Sequence, residues 1–570
     1  MESRGARTGS IDTGKRRRLA TIALAALSTL PSGCRIPAIY SADPGPALPQ
    51  DFNGAASVNN SADLSVDEFF SEPALSLLIN EGLSQNFELK IRNQEIQVAA
   101  NEVQARRGAY LPFVNIGARG GVDRTSRFTP LGAAEDQLTY PGGGRFPDPL
   151  PNVGLQANLF WQLDYLKQLR NARDAAIFRY CEAIEARDYL ITAIVTEIAS
   201  SYYELAALDQ RLVFLNQTID IQSQSLDVAR AQKDAARGTE LGVQRFLAEV
   251  RKNESQRLII KQQIIEVENR INVLTGRYPQ MVNRQAWDFI ALDSRPLEVG
   301  VPAQLLQNRR DIRAAEREVA ASGLDVLVAR ANFYPKLAIS GRVGYEAFNP
   351  RYLFDPGAFV AGTAGELVAP LFNKKAIRAD YQSANARQLA AIYNYQRTVV
   401  TAFTEVVNNI AKVDNYRKSV AIKQEQVKAL ESSVDVATQL FQAARPGAEY
   451  IDVLFAQRDL LEARTVLIET KQQQLSAIVK AYQSLGGGLF RSDISYNSDG
   501  VVLPELPPLP EHQAKPPADQ TKASGKPPVG VARLERTPIA ETEPVRAESE
   551  PPAADNESPA AEVASPPDEE

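Results

Sequence analysis

The sequence predicts a mixed, mainly α fold: a long α-helical coiled-coil barrel, plus four β-strands per chain contributing to a trimeric twelve-stranded transmembrane β-barrel. Three observations predict it. The chain repeats itself, it holds two very long stretches without Gly or Pro, and the segments between its helices alternate with period two.

The repeat is read most directly from GAYLPFVNIGARGGV at 108–122 and ANFYPKLAISGRVGY at 331–345, each leaving a helical stretch through an aromatic-x-Pro corner. The offset is roughly 220 residues, so each element in one half has a counterpart in the other. Gln85-Asn86 answers to Gln307-Asn308, Leu159-Phe160 to Leu371-Phe372, Gly238-Thr239-Glu240 to Gly447-Ala448-Glu449, and Leu274-Thr275-Gly276 to Leu485-Gly486.

No Gly or Pro falls between Leu163 and Ala236 or between Lys374 and Ala444. Each run is long enough for a helix of roughly 110 Å. Shorter helical segments flank them, near 73–109 and 243–275 in the first half and 303–332 and 449–485 in the second. The two short lengths in each half sum to about one long length. Two short helices therefore stack end to end along each long one, with the irregular stretch 277–301 as a collar near their junction. Val243, Phe246, Val250, Asn253, Arg257, Ile260, Ile264, Val267, Ile271 and Leu274 follow alternating steps of three and four, a seam of period 3.5 that implies a left-handed coiled coil. Leu454, Leu461, Ile468, Leu475 and Tyr482 mark its counterpart at strict sevens.

Four segments have a different period, and strands are predicted over about 112–123, 151–162, 335–346 and 359–370. Val153, Leu155, Ala157, Leu159 and Trp161 alternate with Asn152, Gly154, Gln156, Asn158 and Phe160, and Val114, Ile116, Ala118, Gly120 and Val122 alternate with Asn115, Arg119 and Asp123. Leu337, Ile339, Val343 and Tyr345 face away from Lys336, Ser340 and Arg342. Strands of about ten residues have the length a tilted transmembrane strand requires. Four strands cannot close a barrel, and lipid tolerates no open sheet edge, so several chains must supply strands to one barrel. Eight strands would leave an interior filled by side chains, whereas twelve leave a lumen, so a homotrimer is predicted.

Composition narrows the function. The 63 basic and 69 acidic residues are well mixed along the helices, giving a net charge of −6 and no basic stripe for nucleic acid. The single histidine, His512, lies in the Pro-rich tail, which argues against His-based triads and His-ligated metal in the folded body. No GxSxG, HExxH, P-loop or GxGxxG context appears. The sequence predicts no enzyme, no cofactor and no metal site. Cys181 lies in a helical run and reads as a packed side chain, not a disulfide partner of Cys34.

At the N-terminus, Lys15-Arg16-Arg17-Arg18 precede an apolar run from Leu19 to Leu30 and then Pro31-Ser32-Gly33-Cys34. That run is shorter than the roughly twenty residues a spanning helix needs, so it reads as a secretory signal peptide over 1–33. Two readings of Cys34 remain: lipidation as the acylated first residue, or a free thiol after ordinary cleavage. Fifteen of the 35 prolines fall after residue 500, and the segment 491–570, rich in Pro, Glu and Ala, is predicted to be disordered. Between these ends the chain divides into an N-terminal extended segment at 34–72, a first repeat at 73–275, an equatorial linker at 276–301 and a second repeat at 302–490.

Several motifs, in order, resemble those of the outer membrane efflux proteins, the TolC-like channels, and within them the lipoprotein branch serving tripartite pumps. Asn308-Arg309-Arg310-Asp311-Ile312-Arg313-Ala314-Ala315-Glu316 is similar to that family's Arg-Pro-Asp-Ile-x-Ala-Ala-Glu signature, with Arg310 in the proline's place. Tyr395-Gln396-Arg397-Thr398-Val399 with Ala402-Phe403-x-Glu405-Val406 resembles its long-helix motif. Asp452-Val453-Leu454-x-Ala456-Gln457-Arg458-x-Leu460-Leu461 and Leu485-Gly486-Gly487-Gly488 resemble its closing helix. Arg35 after Cys34, in place of an aspartate, resembles the outer-membrane sorting pattern.

The resemblance implies a passive exit duct in the cell outer membrane, partnered by a periplasmic adaptor (membrane fusion) protein, an inner-membrane pump of the resistance-nodulation-division type, and outer membrane lipid. It places the turns Gly238, Thr239, Glu240 and Gly447, Ala448, Glu449 at the periplasmic tip where an adaptor docks. It puts Asp452 near the constriction, with Phe455 in place of the next aspartate, and charge contacts among Arg445, Glu449, Asp452 and the facing Glu240 are expected to close a gate at Arg445, Asp452 and Phe455. The residues by themselves also admit a second class, an envelope coiled-coil protein such as a periplasmic adaptor or scaffold, whose strands would form a soluble sheet.

Overall fold

The computed structural model describes residues 36–70, 72–284, 289–292, 297–370, 372, 374–442 and 450–488. The first half runs α1 (Pro73–Gln85), α2 (Phe87–Tyr110), β1 (Phe113–Asp123), β2 (Leu150–Leu163), α3 (Gln168–Asp234) and α4 (Glu240–Leu274). The second runs α5 (Arg310–Ala331), β3 (Lys336–Ala347), β4 (Phe359–Val368), α6 (Lys375–Gln442) and α7 (Tyr450–Ser484). At 67 and 68 residues, α3 and α6 each extend about 100 Å. None of the described helices is long and apolar enough to cross a membrane.

Each long helix packs against two shorter ones of its own half: α3 against α2 and α4, and α6 against α5 and α7. The halves interlock as well, because α5 and α7 also pack on α3. The α4 seam is buried at Val243, Phe246, Val250, Asn253, Ile260, Ile264, Val267 and Ile271, while Arg257 and Leu274 are half-buried. In α7 the heptad positions Leu454, Ile468, Leu475 and Tyr482 are buried and Leu461 is partly covered. Burying a large aliphatic side chain contributes about 1.5–3 kcal/mol, so these seams are a major source of rod stability.

The helical stretch expected at 73–109 is interrupted at Asn86, whose ψ of 128 is extended. Its side-chain oxygen accepts from the Glu88 and Leu89 N–H groups and its amide donates to Leu274 O at 2.9 Å, capping α2 while binding the end of α4. The second half breaks in the same place, at Arg309 between a short turn, Leu305–Asn308, and α5.

The segment 277–301 crosses several helices. Val282 and Phe289 are buried in the main core. Arg284 reaches Asp209 of α3 at 2.5 Å and also pairs with Glu268 of α4, and Lys471 of α7 donates to Leu292 O at 2.6 Å. An antiparallel bridge joins Val299 to Asn60.

The N-terminal stretch takes a path that no periodicity announced. It lies along α6: the Asn385 side chain makes paired hydrogen bonds with the Tyr40 backbone at 2.9 and 3.0 Å, Gln396 donates to Asp43 O at 3.0 Å, and Phe52 stacks on Phe403. From Asn385 to Phe403 this strap covers about 27 Å of helix.

Candidate functional site: a two-faced sheet and a hairpin tip

The four strands form one antiparallel sheet in the order β1-β2-β3-β4. Its register decides which residues share a face. One row reads Ile116, Ala157, Val343, Ala361, and the next Ala118, Leu155, Tyr345, Phe359. Val114, Leu159, Trp161, Ile339, Leu337 and Leu367 lie on this same apolar face. In the single chain much of it is open, with Ile116 77% and Leu367 66% exposed. The opposite face is polar and glycine-rich, with rows Asn115, Asn158, Arg342, Gly362 and Arg119, Gly154, Glu346. There the Glu346 carboxylate accepts from Arg119 at 2.5 Å, Asn152 at 2.9 Å and Gln156 at 3.2 Å, and Asn158 donates to Asn115 at 3.1 Å.

An apolar face against a polar one suits lipid outside and water inside. Trp161, opposite Ile339, and Tyr345 stand on the apolar face six residues or about 20 Å apart along β3. Aromatic pairs at such a spacing mark the two interfaces of a membrane barrel. β1 and β4 each pair on one side only among the described residues, leaving two open edges that lipid does not tolerate.

Where the sheet meets the rods, the turn is held by side chains. Asp164 is buried and its carboxylate accepts from the Leu169 and Arg170 N–H groups at 2.9 and 3.0 Å, capping α3 from beyond the left-handed Lys167. Trp161 Nε1 donates to Tyr110 O at 3.2 Å, tying β2 to the end of α2.

At the far end of α3 the turn to α4 is a compact reversal. Arg237 and Gly238 N–H groups both donate to Gln232 O, at 2.8 and 3.0 Å. The left-handed residue is Ala236, at φ 56, and not Gly238 as a glycine turn would suggest. Gly238 is needed for space, since a Cβ there would stand 3.0 Å from the Lys233 nitrogen. The Thr239 hydroxyl caps α4 by accepting from Gly242 N–H at 3.2 Å. The Glu240 carboxylate accepts from Gln244 at 2.6 Å and pairs with Lys233 at 2.7 Å, and these two contacts hold its pKa below the ordinary carboxylate range.

This fold, with long paired helices and a small antiparallel sheet between them, is that of outer-membrane channels. The open state of the Neisseria gonorrhoeae MtrE outer membrane channel superposes with a TM-score of 0.68 at 21% identity, covering 80% of this chain and 98% of that one. The outer membrane efflux protein family matches residues 78–277 and 301–487. The chain belongs to that family. Among curated members, the solvent efflux pump outer membrane protein SrpC of Pseudomonas putida is 27% identical over 433 residues, 74% of this chain and 87% of SrpC. The cation efflux system protein CusC of Escherichia coli O6:H1 is 23% identical over 462 residues, 80% of this chain and 96% of CusC.

The residues that the sequence singled out in this efflux protein are brought together only in part. Gly238, Thr239 and Glu240 form the α3–α4 turn just described. Glu240 is engaged within its own hairpin, with Lys233 and Gln244. Asp452 and Phe455 lie on the first turns of α7, on the face turned away from the buried Val453, Leu454, Ala456 and Gln457. Phe455 is 44% exposed and carries the Arg458 guanidinium over its ring at 5.0 Å. Arg445, Gly447, Ala448, Glu449, Cys34 and the tail from 491 lie outside the described residues. Sequence reasoning missed Arg309 as a buried anchor. Its guanidinium is 4% exposed and donates to Asp311 at 2.6 Å, to Glu405 of α6 at 2.8 Å and to Ser484 O at 3.2 Å. The signal was present in the signature around Arg309, which was read as a family mark and not as a contact.

Proposed function

We propose that three copies of this chain close a twelve-stranded barrel in the outer membrane and continue below it as an α-helical tunnel, the exit duct of a tripartite efflux pump. The observation that carries this is the two-faced sheet with one open edge at each end. The chain is a passive conduit for small molecules. Solvent and cation appear in the names of relatives, and the cargo here is left at that breadth. In this reading the turns at Gly238, Thr239, Glu240 and at Gly447, Ala448, Glu449 meet a periplasmic adaptor, which links the duct to an inner-membrane pump of the resistance-nodulation-division type. Arg445, Asp452 and Phe455 form the gate at the tip. Residues 73–275 and 302–490 act as the two repeats, joined by the linker at 276–301.

A lipid on Cys34 fits this arrangement. Ile36, two residues on, packs against Val326, Phe333, Tyr381 and Ala384, beside the corner where α5 passes into β3. An acyl chain attached there enters the membrane surface next to the barrel.

The test is physical. Detergent-purified protein should have the mass of about three chains, since every strand edge must be paired, and should conduct ions when added to planar bilayers. A soluble, monodisperse monomer without conductance would instead favour the envelope scaffold.

A further inference from the structure

The tandem repeat sets Arg119 and Arg342 at the same place in its two halves, within GARGGV and SGRVGY. Both belong to the polar face of the sheet. Each lies flat across a glycine directly opposite on the next strand. Gly154 faces Arg119 and Gly362 faces Arg342, and a Cβ on either glycine would stand 3.6 Å from the arginine Nε. The missing side chains give each arginine stem a shallow bed along the wall.

The two arginines differ in what they meet. Arg119 is neutralised by Glu346 at 2.5 Å. Arg342 forms no ion pair among the described residues, and its ladder neighbours are Asn158 and Gly362. Glu346, four residues further along the strand on the same face, attracts Arg342 through space but makes its direct contact with Arg119. Of the other charges on this face, Lys336 and Glu366 occupy adjacent rows near the helices and offset one another, and Asp123 stands at the outer end of β1. Arg119, Arg342 and Glu346 together therefore leave one positive charge at mid-strand, and Arg342 is the cation without a contacting carboxylate among the described residues.

We propose that Arg342 is a specificity-determining residue for passage through the barrel. Three copies form a basic ring at mid-lumen that binds and favours solutes carrying carboxylate, sulfonate or phosphate groups. This rests on the barrel reading given under the proposed function. Two arginines sharing one carboxylate leave an excess positive charge on a wall backed by protein and lipid of low dielectric, which raises the local anion concentration, and the planar donors of Arg342 suit oxyanions.

The experiment uses the full-length purified protein in planar bilayers. In KCl near 0.01 M, where screening extends about 30 Å, reversal potentials across a salt gradient should give a chloride-to-potassium permeability ratio that falls severalfold in Arg342→Gln and is retained in Arg342→Lys. The difference should vanish near 1 M, where the screening length is about 3 Å. Inorganic tripolyphosphate added on the outer side should block the wild type and Arg342→Lys, and block Arg342→Gln at least severalfold more weakly. Equal permeability ratios and equal block in wild type and Arg342→Gln would overturn the basic ring while leaving the channel intact. An absence of any wild-type conductance would overturn the barrel reading itself, and this inference with it.

Discussion

The Gln457 side-chain amide donates to Ser225 Oγ at 3.1 Å, and both residues are buried, so α7 is tied to α3 by a polar contact inside an apolar seam. Leu226, Ala229, Val243, Phe246 and Leu454 form the apolar cluster at this level, and Asn253 donates to Gln222 at 2.7 Å nearby. The Gln457 Oε1 atom has no hydrogen-bond partner there. Gln457→Leu removes one bond worth about 1 kcal/mol and also one buried acceptor left unpaired. Stability should therefore change by less than about 1 kcal/mol, while the α7 hairpin gains freedom to part from α3. Single-channel recordings should show a higher open probability. A large loss of thermal stability, or unaltered gating, would contradict this role.

Arg309 makes a stronger demand. It joins the start of α5 to Glu405 on α6 and to the last turn of α7 through Ser484 O. Arg309→Gln leaves the Asp311 carboxylate, itself largely covered, without its cation. Breaking a buried pair from one side costs about 3–5 kcal/mol. Glu405 is 44% exposed, so water replaces much of what Glu405→Gln removes, and its cost should be under about 1 kcal/mol. Thermal dissociation of the purified oligomer compares the two variants, and equal losses would show that Arg309 is not the anchor.

Glu182, on α3 and outside the sheet, faces Glu318 and Arg179 at the packing against α5, where Arg179 also pairs with Asp325. Burial, and then repulsion from Glu318, push its carboxyl up to about 7, with Arg179 opposing. The folded protein thus keeps a proton that the unfolded chain releases near the ordinary carboxylate value of 4.5. The associated stability is fully present below the unfolded pKa and is lost as pH rises through the folded one. The melting temperature should fall as pH climbs from about 5 to about 8, and Glu182→Gln should flatten that slope. An identical slope in the variant would assign the dependence to another group.

The gate prediction concerns Arg445 and Asp452. Exposed charge pairs contribute up to about 1 kcal/mol each, so closure by several such contacts is easily biased by an adaptor. Replacing both residues by alanine should raise single-channel conductance and sensitise cells to large antibiotics. The oligomer should persist, because the sheet and the heptad seams are untouched. Unchanged conductance would move the constriction to Phe455, whose exposed ring shares the α7 face with Asp452.

The two long helices, the two faces of the first three strands and the tandem repeat were legible in the sequence alone. The helices and strands are local periodicities, carried in neighbouring residues such as Val243 to Ile271 or Val114 to Val122, and the repeat is a likeness between two stretches of the chain. The uncharged row around Arg342 was not legible, because Asn158 and Gly362 become its neighbours only once the strand register is set. The course of residues 40–52 along α6 was equally silent, since it depends on Asn385 and Gln396, more than 340 positions away, bonding to backbone groups that any sequence carries. The left-handed Ala236, the pairing of Glu240 with Lys233 and the burial of Arg309 belong to the same class. In each case the deciding energy lies in a contact between side chains or backbone groups brought together by packing, which no periodicity in the chain encodes, so only the tertiary structure decided it.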